Sequence, residues 1–182
     1  MTDRRTLLDI FNLTYEDENI STIDRAHRLV HEGLLFGVGY RFEGVADEGL
    51  VNIHIATGSE LELHGALVVS ATGKAYIDIE EDGDYSGGTV VPSVNLNRAS
   101  ANTLVSTFKR GVTIDTPGDN IGVELIAGSG DKNRPLGGET REGAEFIGAV
   151  DSEYVIVVQN LAGAEADIMI RMELYEHEHE EE

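Results

Sequence analysis

The sequence predicts an all-β protein, an antiparallel β-sandwich of jelly-roll type with an N-terminal arm. Three observations support this prediction. Apolar and polar residues alternate along several short segments, the chain contains 21 glycines, and apolar residues almost never follow a helical period. Alternation with a period of two marks strands that bury one face and expose the other. Short strands between glycine-rich turns are typical of sandwiches and jelly rolls.

Residues 1–33 differ from the rest of the chain, and we expect them to form the arm. Ser21, Thr22 or Asp24 can cap a short helix over residues 25–30, which Gly33 would end. Ahead of that helix lies a cluster of large apolar residues: Leu7, Leu8, Ile10, Phe11 and Leu13.

From residue 34 onward, strand patterns dominate. The alternating segments are residues 51–55, 60–64, 74–80, 104–109 and 167–175. Residues 154–158 are apolar on both faces, which predicts a central strand. Turn signals occur at residues 57–59, 71–73, 82–84, 86–88, 117–120 and 137–138. We therefore expect the sandwich to span residues 34–176, followed by an acidic disordered tail over residues 177–182.

The charge and the composition exclude several classes of function. The formal net charge is -21, and a field of that sign repels phosphate, so we expect no nucleic-acid partner. Without cysteine there is no disulfide, thiolate zinc site or cysteine nucleophile. No apolar run is long enough for a membrane span, so we expect no membrane partner. Acid excess with only three lysines indicates a protein adapted to concentrated salt, where the Debye length is ~3 Å.

The sequence carries no motif of a common enzyme class. Gly37-Val38-Gly39 would need a third glycine at position 42 to bind a dinucleotide, and Phe42 stands there. A Walker loop and a Gly-x-Ser-x-Gly nucleophile elbow are both missing. We expect no catalytic residue, no enzymatic activity and no cofactor.

The acidic segment of residues 78–84 matches part of a calcium-loop pattern. Asp78, Glu80, Asp82 and Asp84 alternate with other residues as cation ligands can. Position twelve of an EF-hand needs a bidentate glutamate, and Thr89 occupies it, so an EF-hand is excluded. These four carboxylates remain candidates for a looser cation site at a hairpin tip, although an acidic turn is the favoured interpretation and no metal is predicted.

His27 and His31 are four residues apart. On a helix this spacing places both side chains on one face, where they can act as two metal ligands. The sequence offers no third ligand nearby, so a packed or solvated helix turn is the favoured interpretation.

Several stretches occur in an order that resembles a family of small structural proteins of tailed viruses, encoded near the major capsid protein. The resemblance covers about residues 25–177. The stretches are His27-x-x-x-His31-Glu32-Gly33, Asn95-Leu96-Asn97-Arg98-Ala99-Ser100-Ala101-Asn102-Thr103, Gly128-Ser129-Gly130, Gly137-Gly138, Gly143-Ala144-Glu145-Phe146-Ile147, Tyr154-Val155-Ile156-Val157-Val158-Gln159-Asn160 and Glu173-Leu174-Tyr175-Glu176-His177.

The resemblance implies a capsid decoration protein that binds the outer surface of the shell. Its partners would be the major capsid protein and further copies of itself, as a homotrimer. Its location would be the virion after synthesis in the host cytoplasm. The composition fits a haloarchaeal tailed virus. The alternative is a turret- or tail-associated module that binds a receptor or glycan, although the absence of tryptophan weakens sugar stacking.

Two segments are the candidate interface. The resemblance marks Asn95, Asn97 and Arg98, whose amide and guanidinium groups can satisfy backbone atoms in an irregular connection. They would lock either a crossover between the sheets or a subunit contact. Residues 1–20 would anchor the protein by docking on its own sandwich, on a neighbouring subunit or on the shell. The anchoring side chains would be Leu7, Leu8, Ile10 and Phe11.

Overall fold

The computed structural model describes residues 13–16, 19–22, 25–126 and 146–178. Strands β1 (Leu13–Glu16) and β2 (Asn19–Thr22) pair as an antiparallel hairpin, and helix α1 spans Arg25–Glu32, where a short helix was predicted. The later strands are β3 (Phe36–Val45), β4 (Leu50–Ala56), β5 (Leu61–Ala71), β6 (Ala75–Glu81), β7 (Asp84–Val90), β8 (Val94–Asn95), β9 (Thr107–Thr116), β10 (Asp119–Ile126), β11 (Phe146–Gly148), β12 (Glu153–Asn160) and β13 (Ala166–Glu178).

The strands β3 to β13 form two sheets that pack face to face. The six-stranded sheet has the order β10-β6-β12-β4-β9-β7, and the five-stranded sheet has the order β11-β5-β13-β3-β8. Neighbouring strands are antiparallel. The predicted all-β sandwich is confirmed.

Four strand pairs are nested inside one another along the chain. Strand β3 pairs with β13, β4 with β12, β5 with β11, and β6 with β10. Successive pairs alternate between the two sheets, which is the arrangement of a jelly roll. Strands β7, β8 and β9 are an insertion between β6 and β10. This insertion adds β7 and β9 to one sheet and β8 to the other.

The main core lies between the sheets. It is formed by the apolar residues that alternate with polar ones along the strands. On β13, Ile168, Ile170 and Met172 point inward and are buried, whereas Arg171 is exposed on the other face. Fully burying each such apolar side chain contributes about 1.5–3 kcal/mol.

Strand β12 is a central strand of its sheet, as its two apolar faces predict. Every second side chain enters the main core. Val155 and Val157 point to the opposite side of the sheet, and they are buried as well. They contact Val112, with Tyr85 and Ile114 packed against them. We call these five residues the outer cluster.

The cover of the outer cluster is a single bent pair of strands. Glu81 pairs with Asp119 at the end of one ladder, and Asp84 pairs with Thr116 at the start of the next. Two residues separate these pairs on each side, residues 82–83 and 117–118, so the two ladders share one register. Strand β6 therefore continues into β7, and β9 continues into β10. We call this unit the bent ribbon; it comprises residues 75–90 and 107–126.

The bent ribbon separates from β4 at Gly111. Strand β9 pairs with β4 only as far as Arg110, and the next residue, Gly111, has a φ of 63°. Beyond Gly111, hydrogen bonds from the side chain of Asn52 take the place of backbone pairing between β4 and β9. Its Nδ2 donates to the Val112 carbonyl and its Oδ1 accepts from the Val112 N–H, each at 2.9 Å. The ribbon can therefore cross the outer face of the sheet and cover the outer cluster.

Three predicted segments have another form or other bounds in the structure. Residues 86–88, predicted as a turn, lie inside edge strand β7, where Gly87 and Gly88 have positive φ angles of 69° and 85°. Residues 104–106 alternate like a strand but precede β9. Strand β13 continues to Glu178, two residues into the predicted tail, because it remains paired with β5 over this stretch.

The tight bend of the ribbon predicts a steric effect at Gly118. A Cβ at this position would overlap the carbonyl oxygen of Glu81 and lie 2.8 Å from the backbone nitrogen of Gly83. Both obstacles are backbone atoms, so the bend has to open. We expect Gly118→Ala to lower the free energy of unfolding by about 1–3 kcal/mol in denaturant titrations in molar salt.

The matched control is Gly122→Ala in the same ribbon. A Cβ there would meet side-chain atoms of Ile79 at 3.5–3.8 Å, which is ordinary contact. We expect the free energy of unfolding to stay within about 0.5 kcal/mol of the wild type. Equal effects of the two substitutions would show that the bend does not constrain the fold.

Candidate functional site

The candidate interface residues Asn95, Asn97 and Arg98 lie where the chain passes from one sheet to the other. Strand β8 belongs to the five-stranded sheet and β9 to the six-stranded sheet. Residues 96–106, which we call the crossover, connect them. The crossover passes the C-terminal end of α1, and the predicted residues are brought together there.

Asn95 is buried, with 8% of its surface exposed, and holds three backbone groups. Its Nδ2 donates to the Gly33 carbonyl at 2.9 Å and to the Asn102 carbonyl at 3.3 Å, and its Oδ1 accepts from the Asn97 N–H at 2.9 Å. Asn102 adds a bond from its own Nδ2 to the same Gly33 carbonyl at 3.1 Å. One side chain thus joins the end of the helix to both parts of the crossover.

Asn97 also holds backbone groups, at the end of α1 and in the crossover. Arg98 makes a single long hydrogen bond. Asn97 donates from Nδ2 to the His31 carbonyl at 3.1 Å and accepts the Ala99 N–H at 3.1 Å. Arg98 donates from Nη1 to the Asn95 carbonyl at 3.4 Å, and its side chain is exposed. The last carbonyls of a helix have no partner within the helix. The two asparagines therefore cap α1 from outside.

Gly33 explains why the helix ends where it does. Its φ is 70°, and its N–H donates to the Val30 carbonyl while the Leu34 N–H donates to the Leu29 carbonyl. This pair of bonds is a Schellman motif, which favours glycine. A Cβ at Gly33 would also overlap the Ser100 side chain of the crossover.

The far end of the crossover is held by Glu176 of β13. Its carboxylate accepts from the Val105 N–H at 2.8 Å, from the Ser106 N–H at 2.7 Å and from the Ser106 hydroxyl at 2.7 Å. Sequence patterns gave no indication of this role, because the partners lie about seventy residues apart. The hydrogen bonds of Asn95, Asn97 and Arg98 join β8, the end of α1 and the crossover, so these residues act as an internal clamp.

The clamp leaves a rigid apolar surface exposed. Because Asn95 turns inward, its neighbours Val94 and Leu96 point outward and are 43% and 36% exposed. A Cβ at Gly37 would lie 3.3 Å from Cδ2 of Leu96, so a larger residue at position 37 would crowd this side chain. We call Val94 and Leu96 the crossover patch. Exposed apolar side chains on a fixed backbone are typical of interaction surfaces.

The other predicted interface residues cannot be placed. Leu7, Leu8, Ile10 and Phe11 lie outside the described residues. The same holds for residues 179–182 of the predicted tail.

The candidate cation ligands do not converge. Asp78 accepts from Asn120 Nδ2 at 2.8 Å. Glu80 and Asp82 accept backbone N–H groups of Gly118 and Glu153, each at 3.3 Å. These carboxylates hold the bend of the ribbon, and Asp84 begins β7 with its surface exposed. Within the described part of the chain, no three His, Asp or Glu side chains are placed to hold a metal ion together.

A buried histidine lies under the bent ribbon, and sequence patterns did not single it out. His54 on β4 is 5% exposed and packs on the Tyr85 ring, with the centroids 5.1 Å apart. Its Nε2 lies 3.4 Å from the Glu153 carboxylate, too far for a strong hydrogen bond, and Lys109 is its pairing partner on β9. Burial lowers the pKa of His54, and the opposing effect of Glu153 is smaller. Burial likewise raises the pKa of the Tyr85 hydroxyl.

The interior holds an apolar cavity of ≈ 50 Å³ between the sheets. A substrate site needs a few polar groups that orient the ligand, and this cavity lacks them. Its walls come from β4, β5, β6 and β11 to β13: Ile55, Gly65, Ala66, Leu67, Ile79, Phe146, Tyr154, Ile156, Met172 and Leu174.

No protein-family model, curated protein or solved structure matches this chain. The single helix in the described ranges is not long and apolar enough to cross a membrane. The functional interpretation therefore depends on three features of the structure: the clamp, the crossover patch and the buried histidine.

The clamp predicts a large stability effect at Asn95. Asn95→Ala leaves the Gly33 and Asn102 carbonyls short of a donor and the Asn97 N–H without its acceptor. We expect the free energy of unfolding to fall by about 1–3 kcal/mol, measured by denaturant titration. Asn120→Ala is the matched control, because its bond to Asp78 is exposed. An effect at Asn95 no larger than at Asn120 would contradict the clamp.

The buried histidine predicts a loss of stability on acidification. Since folding lowers the pKa of His54 from 6.5, the folded state favours the neutral ring. This contribution is complete above pH 6.5 and is lost as the pH falls through the lower folded-state pKa. We expect His54→Leu to reduce the pH dependence of the free energy of unfolding below pH 6.5, compared with the wild type. Identical pH profiles of the two proteins would show that His54 does not titrate on folding.

Proposed function

We propose that this protein is a structural virion protein of a tailed virus, a capsid decoration protein that binds the outer surface of the shell. The observation that supports it best is the crossover patch. It presents two apolar side chains that flank Asn95, the residue that fastens the start of the crossover. A partner that binds there meets a surface that needs little further ordering, which favours affinity.

The charge of the chain indicates what kind of contact holds such a complex. A net charge of -21 gives no long-range attraction to an equally acidic shell. Apolar contact acts at short range, and it is insensitive to the screening that concentrated salt produces. The crossover patch is therefore a more plausible contact surface than the acidic faces around it.

The N-terminal arm complements this surface. Helix α1 has eight residues, so its start lies about 12 Å from the end that the clamp holds. The arm thus leaves the sandwich close to the crossover patch. Fully burying Leu7, Leu8, Ile10 and Phe11 would contribute about 6–12 kcal/mol before the cost of ordering the segment. Arm and patch together would form a continuous anchor, with the rest of the sandwich in solvent.

The sheet edges support a homotrimer as part of this proposal. The five-stranded sheet ends in strands of three and two residues, which offer little to a further strand. The six-stranded sheet ends in β10 and β7, with eight and seven residues. Long edge strands need cover, and a closed ring of subunits supplies it.

Binding to shells that lack this protein tests the proposal. In molar salt, we expect the full-length chain to co-sediment with such capsids, and a variant without residues 1–12 to stay in the supernatant. That truncation leaves the β1–β2 hairpin in place. A Val94→Asp/Leu96→Asp variant should bind at least about tenfold more weakly, because it places charge in an apolar contact.

Leu50→Asp is the matched control, since Leu50 is 64% exposed and lies on a different strand, β4. It should bind like the wild type. Circular dichroism and mass photometry in the same buffer verify that each variant keeps its fold and its oligomeric state. Wild-type occupancy by the truncated and the patch variants would overturn the anchor. Failure of the wild type to bind any shell would overturn the decoration role. A uniform monomer in the wild-type mass measurement would contradict a preformed trimer.

A further inference from the structure

Two exposed histidines meet on the surface of α1. His27 and His31 occur one helical turn apart, and their Nε2 atoms are 2.9 Å from each other. Their ring centroids are 4.5 Å apart with an interplanar angle of 59°. We propose that this pair is a chelating site for a divalent transition-metal ion of the Zn²⁺ class. The proposal is independent of the capsid role.

The geometry is close to that of a bound pair. Two nitrogens that bind one tetrahedral Zn²⁺ at ~2.0–2.1 Å lie about 3.3 Å apart. A small rotation of the two side chains is enough to admit the ion. In the hydrogen-bonded pair, one Nε2 donates and the other accepts. Metal binding needs both Nε2 lone pairs, so the donating ring moves its proton to Nδ1. Two neutral rings therefore bind the ion without releasing a proton.

The backbone of the pair is already fixed. The His31 carbonyl accepts from Asn97 Nδ2 at 3.1 Å, and the following turn is held by the bonds at Gly33. His31 lies in the last turn of α1, where the helix dipole favours a cation. The nearby cationic Arg28 faces Glu32 at 3.8 Å. The ion therefore meets a preorganised pair.

The chemistry of the ligands selects the ion. Neutral imidazole binds Zn²⁺, Ni²⁺ and Cu²⁺, whereas Mg²⁺ and Ca²⁺ prefer oxygen ligands. No third His, Asp or Glu joins the pair in the described ranges. Water or a ligand from a neighbouring molecule completes the coordination, so the site remains open on its outer side.

Calorimetric titration with Zn²⁺ in molar NaCl tests the site. Excess Mg²⁺ in the buffer occupies carboxylate sites on the acidic surface. We expect one site per chain, and a loss of affinity of at least ~100-fold in His27→Ala and in His31→Ala, because each removes one arm of the chelate. His177→Ala and His179→Ala are the matched controls, and they should bind Zn²⁺ like the wild type.

A second readout distinguishes ligation from a structural effect. In ¹⁵N spectra of the imidazoles, Zn²⁺ should shift the Nε2 signals of His27 and His31 together, and the affinity should fall on acidification because protons compete for the same lone pairs. Circular dichroism verifies the folding of each variant. Wild-type affinity in His27→Ala or His31→Ala, or loss of binding only in His179→Ala, would overturn the site. Because no capsid is involved, failure here leaves the decoration role untouched.

Discussion

The fold depends on one constraint: strand β12 is apolar on both faces, so both faces of the six-stranded sheet must be covered where it lies. The five-stranded sheet covers one face and forms the main core with it. The bent ribbon covers the other. It separates from β4 at Gly111, whose φ is 63°, and the side chain of Asn52 holds Val112 just beyond. His54 is buried for the same reason, because it lies beside Val155 in the register of the sheet. An uncovered Val155 would expose an apolar surface that invites association.

The insertion that makes the ribbon also makes the crossover, so the outer cover and the clamp are physically linked. Strands β7 and β9 belong to one sheet and β8 to the other. The chain must therefore change sheets twice within the insertion. The return is the crossover, and its irregular backbone needs polar partners because a buried N–H or carbonyl without one is costly. Asn95 supplies them at one end and Glu176 at the other. The crossover patch is what this arrangement leaves outside.

The sequence was sufficient for the architecture and insufficient for the long-range contacts. Alternation located β4, β5, β6, β9 and β13, because a period of two reports directly which side chains are buried. The two apolar faces of residues 154–158 located the central strand β12. The turn prediction failed at residues 86–88, where two glycines bend an edge strand instead of ending it. The order of the strands and the continuity of the ribbon depend on pairings between distant segments, which local patterns do not encode. Asn95 was found through a resemblance that also includes Glu176 but gives it no role, whereas His54 carries no local signal. The roles of Glu176 and His54 arise only when the sheets close.

The nested pairing has a consequence for the order in which the molecule can fold. The ribbon pairs segments that are close in sequence at its β7–β9 end, where Val90 pairs with Lys109, whereas β3 and β13 are joined only through the whole domain. Closing a longer loop costs more entropy, so contacts of high sequence separation form late. We expect the ribbon to form early and the β3–β13 ladder to complete the sandwich last. Helix α1 packs on Tyr175, the residue of β13 that follows this ladder. The helix therefore becomes fixed on the sandwich only after the two ends of the domain have come together.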